Sequence, residues 1–411
     1  MTTAASGLPC VVTSTQADLP PVRRSRVAVS ALFFCQGFAF AALITRIPAI
    51  QEQFGLSDGA LAGLLALVPI VAGVGSVTAG QWAQRWHSDP VLRACGLLVS
   101  GSLVVVGAAT TLTSLPLLLL ALVLLGFGLG SVDATMNMQG VGVQALMGRS
   151  VMASFHAWWS LATILGAVAA SVAAATTLSL LGFMAVVAIM LVPIQLWAGP
   201  KLLHGGSADT VGPDPLAANS DVPWRPLLVF GLAVVIAFVV DSSVSNWSAV
   251  DMVSVLGASE SVAALAYAAY AVAMLVGRLL TDRLVTVRGA GGVVRGAAIV
   301  ACAGLVAVAV APGQWAAIAA FAVVGLGISP ILPLAFTAAA RNDPRHTGIA
   351  VARVNVGNYI GFVLGAPLVG VIAEFSSFRV GFAVLAAVAL ALILTAPAFA
   401  RSQNDAVISG W

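Results

Sequence analysis

Two aspartates, Asp133 and Asp241, stand inside long apolar stretches of a 411-residue chain in which only 8% of residues are charged. An acid at the centre of a bilayer-spanning helix costs about 2.5–3.5 kcal/mol on insertion scales, so each needs a partner or a task. His156 follows Asp133 on the next apolar segment. Counting about 1.5 Å per residue from the segment ends puts the two at comparable depth, so they are expected to meet. A carboxyl group and an imidazole bordering a wet gap can take up and release a proton near neutral pH, and Asp133 with His156 is the candidate proton-coupling pair. The alternative is structural: Asp133 accepts hydrogen bonds from Asn137, one turn on, or from His156, and locks two helices together.

Polar and aromatic side chains recur at helical spacing around these groups. His156, Ser160 and Thr163 follow at steps of four and three with Trp159 beside them, and a second stripe holds Asn355, Asn358, Tyr359 and Phe362. A flat ring flanked by hydroxyl and amide groups suits a polyol, whose C–H face stacks while its hydroxyls need fixed donors and acceptors. Interhelical packing is the competing reading for any single member. Asn137, Trp159, Ser160, Asp241, Asn355, Asn358 and Tyr359 are the candidate solute-binding set, for a small uncharged polar solute.

Other chemistries find no support. The four cysteines, Cys10, Cys35, Cys95 and Cys302, are far apart, so neither a disulfide framework nor a metal site is expected. Gly126-Phe-Gly128-Leu-Gly130 lies inside an apolar run and reads as close helix packing rather than a nucleotide loop. Lys201 is the only lysine, which excludes a Walker motif, and no nucleophile and base stand at helical spacing. The expectation is therefore no enzyme and no cofactor. The formal charge of +3 gives no nucleic-acid footprint.

The elements that must hold these residues follow from hydropathy. Sixty per cent of the chain is hydrophobic and the mean hydropathy is +1.05, with apolar runs longer than the roughly 18 residues that mark a membrane-spanning helix. The pattern predicts helices over 27–48, 58–82, 94–112, 115–140, 150–174 and 178–199, then 226–250, 258–281, 292–311, 314–338, 347–373 and 378–399. This gives an all-α membrane protein of two six-helix bundles, 27–199 and 226–399, joined by a polar linker at 200–225 and flanked by tails at 1–26 and 400–411. No cleavable signal peptide is expected in the first 22 residues.

Twelve passes put both tails on one side. That side collects most of the arginines, including Arg23, Arg24, Arg26, Arg85, Arg93, Arg149, Arg283 and Arg288, and faces Arg46 and Arg379 on the other. The positive-inside rule makes it cytoplasmic. The halves also repeat: a shift of 199 residues lays Gly126, Gly128 and Gly166 over Gly325, Gly327 and Gly365.

Asp133-Ala-Thr-Met-Asn137, Gly148-Arg149, Ser154-Phe-His156-Ala-Trp-Trp159-Ser160 and Gly166-Ala167 together resemble the major facilitator superfamily, in its fucose-permease-like branch and nearest its YbjJ-type inner-membrane proteins. Arg46-Ile47-Pro48, Asn246-Trp247-Ser248 and Gly365-Ala366-Pro367 add to the likeness, which covers residues 27–399. The resemblance implies alternating access to one central site, proton-coupled uptake of sugar-like solutes, and inner-loop charges, here Arg85, Asp282 and Arg283, that latch the bundles. Three departures accompany it. The loop signature Gly-x-x-x-Asp-Arg reads Gly80-Gln-Trp-Ala-Gln84-Arg85, though Asp282-Arg283 keeps the acid. Ile44 stands where the fucose permease has a carboxylate. Asp241 and Asn246 replace the usual Glu and Asp. A proton-coupled drug or metabolite exporter is the runner-up, and a non-transporting receptor or scaffold the rival of another class. Expected partners are a small solute, protons and the bilayer, for a monomer in the inner membrane.

Overall fold

A chain this apolar satisfies its backbone in lipid only by closing its N–H and C=O groups within helices. The computed structural model of the protein describes residues 20–56, 58–204, 222, 224–343 and 348–408, and among them there is no strand. Most of the 200–225 linker and the first nineteen residues lie outside the described set. The helices are α1 (Pro20–Ile44), α2 (Ile47–Phe54), α3 (Asp58–Trp86), α4 (Ser88–Thr111), α5 (Leu115–Met147), α6 (Met152–Ala174) and α7 (Leu180–Ala198), followed by α8 (Trp224–Ser254), α9 (Glu260–Ala309), α10 (Gln314–Ile328), α11 (Ile331–Arg341), α12 (Ile349–Phe375), α13 (Phe378–Leu390) and α14 (Ala396–Ile408).

Ten helices among the described residues are long and apolar enough to cross a membrane. One of them, α9, has 50 residues and turns at Gly289, whose φ of 69° and ψ of 161° leave the helical region. At about 1.5 Å per residue α9 is far longer than a bilayer is thick, so it makes two passes. With α3, 29 residues long, the passes among the described residues number twelve. The tenth is split into α10 and α11 at Ser329 and Pro330, where proline supplies no N–H to the ladder.

The helices run past the sequence-predicted limits: α1 starts at Pro20, α4 at Ser88, and α5 ends at Met147. Hydropathy delimits the part that crosses lipid, whereas arginines such as Arg23, Arg24 and Arg93 are good helix formers and ride on the same helix beyond it.

The repeated glycines occupy matching positions in the two bundles. A Cβ on Gly126 would lie 2.7 Å from the Val68 carbonyl in α3, and one on Gly325 would run into the Tyr270 carbonyl in α9. Gly128 packs on Val99 of α4 and Gly327 on Ala301 in the second pass of α9. Gly166 packs on Phe38 of α1 and Gly365 on Val239 of α8. Each glycine lets two helix backbones approach closely, which is how helices associate in lipid, where no hydrophobic gradient separates core from surroundings.

Candidate solute site between the bundles

Asp133 on α5 is half-buried and faces the opposite bundle. Its carboxylate accepts from Asn137 Nδ2 at 3.3 Å within its own helix, and from Asn358 Nδ2 at 3.0 Å and Tyr359 Oη at 3.1 Å on α12. Asn358 Nδ2 also donates to Asn355 Oδ1 at 2.7 Å, and Asn355 Nδ2 donates to Ser76 Oγ of α3 at 3.1 Å. One acid thus gathers donors from both halves of the molecule. The side-chain oxygens of Asn137 and Asn358 are buried and accept nothing.

A second cluster stands between α6, α8 and α9. Arg278 is 7% exposed and donates to the His156 carbonyl at 3.3 Å and to Ser160 Oγ. Its guanidinium lies 5.7 Å from the Trp159 ring centre. Asp241 on α8 accepts from Tyr270 Oη at 2.6 Å, and Tyr267 stacks on Tyr270 with ring centres 6.0 Å apart. The chain has three tyrosines, and all of them stand at the two intramembrane acids.

Below these clusters, toward the arginine-rich side, the bundles are sealed. Asp282 of α9 accepts from Ser150 Oγ at 2.6 Å and from the Ser154 backbone N–H at 3.2 Å, so an acid of one bundle caps the first turn of α6 in the other. Gln144 on α5 donates to Thr337 Oγ1 on α11 at 3.1 Å. Gly80 on α3 abuts Ala352 on α12, and Gly348 before α12 abuts Met138 on α5. Above the seal the polar walls are open: Asp241, Trp159 and Tyr359 are half-buried, Ser245 and Asn246 exposed, and Tyr267 is 44% exposed. An intramembrane acid faces the interior of its bundle or a water-filled cavity rather than lipid. The molecule is closed on the arginine-rich side.

The expected meeting of Asp133 with His156 does not occur, and no hydrogen bond or ion pair joins them. α5 packs on α3 and α4, whereas α6 packs on α1 and α9, so consecutive helices face different neighbours. The His156 ring lies between Phe33 and Phe336, and its Nε2 has no hydrogen-bond partner. Asn137, Asn355, Asn358 and Tyr359 gather at Asp133, while Trp159 and Ser160 gather at Arg278 near Asp241. Of the latch candidates, Asp282 crosses between bundles, but Arg85 and Arg283 are exposed, Arg85 against its neighbour Trp86 at 5.6 Å. The sequence reading missed Arg278 and Tyr270. An arginine inside an apolar run was the available signal, but Arg278 falls three residues before the expected end of its span at 281, and the true helix continues to the turn at Gly289.

The sequence model of the Major Facilitator Superfamily matches residues 9–167 and 229–407. An uncharacterised MFS-type transporter of Yersinia pestis is 30% identical over 388 residues, 94% of this chain and 98% of that protein. Among solved structures, the fucose:proton symporter of E. coli superposes with a TM-score of 0.71 at 15% identity, covering 93% of this chain and 98% of that one. A human organic anion transporter superposes with a TM-score of 0.73 at 14% identity, covering 92% and 100%.

Proposed function

The chain belongs to the major facilitator superfamily of multi-pass membrane transporters, and on that premise we propose that it takes up a small hydroxylated solute together with protons by alternating access. The arginine-rich side is then cytoplasmic, the membrane is the inner membrane, and the closed seal belongs to the outward-facing state.

The observation that carries this reading is the reach of Asp133 across the bundles. An ionised carboxylate accepts from Asn137, Asn358 and Tyr359 at once. A protonated one loses its charge and gives up an acceptor site on the oxygen that takes the hydrogen, so its hold on α12 weakens. Charge on Asp133 favours the closed seal, and a proton arriving from the open side releases it. The unpaired amide oxygens of Asn137 and Asn358 are buried in this state and become acceptors for solute hydroxyls once the Asp133 contacts break, which joins solute binding to the release.

The fold alone does not choose the solute: one protein of similar structure is a fucose:proton symporter and another an organic anion transporter. The test is uptake of a radiolabelled monosaccharide and sugar-acid panel into proteoliposomes with an inward proton gradient. Accumulation that disappears when the gradient is collapsed supports the reading. No accumulation there, together with gradient-driven uptake into inverted vesicles of acidic lumen, sinks it.

A further inference from the structure

Arg278 is the only intramembrane cation in either cluster, and its partners are neutral oxygens. No ion pair within 4.0 Å joins it to a carboxylate of the described residues, and its Nε has no acceptor. Beside it the buried His156 Nε2, with the residue 4% exposed, is also unpaired. A guanidinium presents five donors in a fixed fork and is always charged, so burial without a counter-charge is costly until an anion completes it. Trp159 walls the guanidinium on one side.

We propose that Arg278 seats a carboxylate of the solute, which makes the transported class hydroxylated monocarboxylates of sugar-acid size. This deepens the transport reading above and rests on it. The carboxylate pairs with the buried guanidinium, whose Nε has no acceptor, and Trp159 beside it packs against the carbon frame. A neutral polyol would leave the guanidinium without a hydrogen-bonded anion, with Asp241 its nearby but unbonded counter-charge.

The groups that surround Arg278 decide how the anion enters. His156 faces it from α6, Asp241 from α8, and Tyr267 and Tyr270 from its own helix, with Asp241 near enough to act on it electrostatically. An ionised Asp241 opposes an incoming anion, whereas a protonated one leaves Arg278 for the solute. With the proton taken up at Asp133, two protons then accompany one carboxylate, a net charge of +1, so uptake should respond to an inside-negative membrane potential.

The experiment is thermal melting and tryptophan fluorescence of the purified full-length protein at mildly acidic pH, titrated with D-gluconate and D-galacturonate and with galactitol and D-galactose. Expected is a saturable response to at least one acid, with the neutral compounds at least tenfold weaker. Arg278→Gln should abolish the acid response, and Arg278→Lys, which keeps charge but loses the fork, should weaken it tenfold or more. Melting of the unliganded variants reports whether they fold, and the wild-type panel decides without them. An equal or stronger response to the neutral compounds overturns the proposal, as does no response to either acid. Proton-driven galactose uptake without acid binding would defeat this inference and leave the transport reading intact. Acid binding without gradient-driven uptake would do the reverse.

Discussion

At Asp133 a single proton changes what the side chain can hold. The charged carboxylate accepts Asn358 and Tyr359 from the other bundle, and each hydrogen bond to a charged group contributes about 1.5–3 kcal/mol. Asp133→Asn keeps the shape and removes the titration. It should cut gradient-driven uptake in proteoliposomes at least tenfold and flatten its pH dependence, while solute counterflow, which moves no net proton, persists. Loss of counterflow as well would make Asp133 a structural link, and unchanged uptake would remove it from coupling. Asp133, Asn137, Asn358 and Tyr359 were all legible as polar residues on apolar helices. The Asp133–Asn137 bond, one turn apart, was legible as well; the contacts with Asn358 and Tyr359 were not, because they join positions more than two hundred residues apart. The Asp133–His156 pairing failed because equal depth in the membrane says nothing about which face of a helix meets which neighbour.

Helix ends and close crossings determine how the elements move. Asp282 caps α6 with a full charge at a helix N-terminus, a contribution of about 0.3–1 kcal/mol that rises toward 2 in partly buried sites. Asp282→Asn should therefore shift the balance toward the inward-open state by about fivefold at 1 kcal/mol. Spin labels on the arginine-rich ends of α6 and α9 would read this as a larger population at long distance, and an unchanged distribution would count against the latch. Within one bundle, a Cβ on Gly130 would run into the Ala72 carbonyl of α3. Gly130→Leu should lower stability by about 1–3 kcal/mol through overpacking, seen as a lower melting temperature in detergent. A melting temperature equal to wild type would show that α3 and α5 can separate without cost. The sequence offered the glycines and their repeat, but not the helices they would meet.

Across the whole molecule, the seal lies on the arginine-rich side and the polar walls stay open on the other. Gln144 and Thr337 face each other across it at 3.1 Å. A double variant, Gln144→Cys with Thr337→Cys in a background freed of the native cysteines, should be bridged by a short reducible bifunctional thiol reagent without solute and lose uptake, with activity restored by reduction. Solute together with acidic pH should slow the crosslink several-fold. A rate indifferent to both would mean that this seal does not open during transport.

The twelve apolar passes, the two matching halves and the membrane setting were fixed by composition and periodicity. Lipid leaves a backbone only the helix, and a repeated sequence folds into a repeated bundle. What the tertiary structure alone decided is which polar side chains share a site. It sent Asp133 to α12 rather than to His156, set Asp282 over the first turn of α6, and buried Arg278 beside Trp159 and Ser160. In a bilayer nearly every helix face is apolar. The hydrophobic pattern that orients helices in water is then silent, and the choice of partner falls to glycine contacts and a few polar groups whose meeting depends on the whole packing.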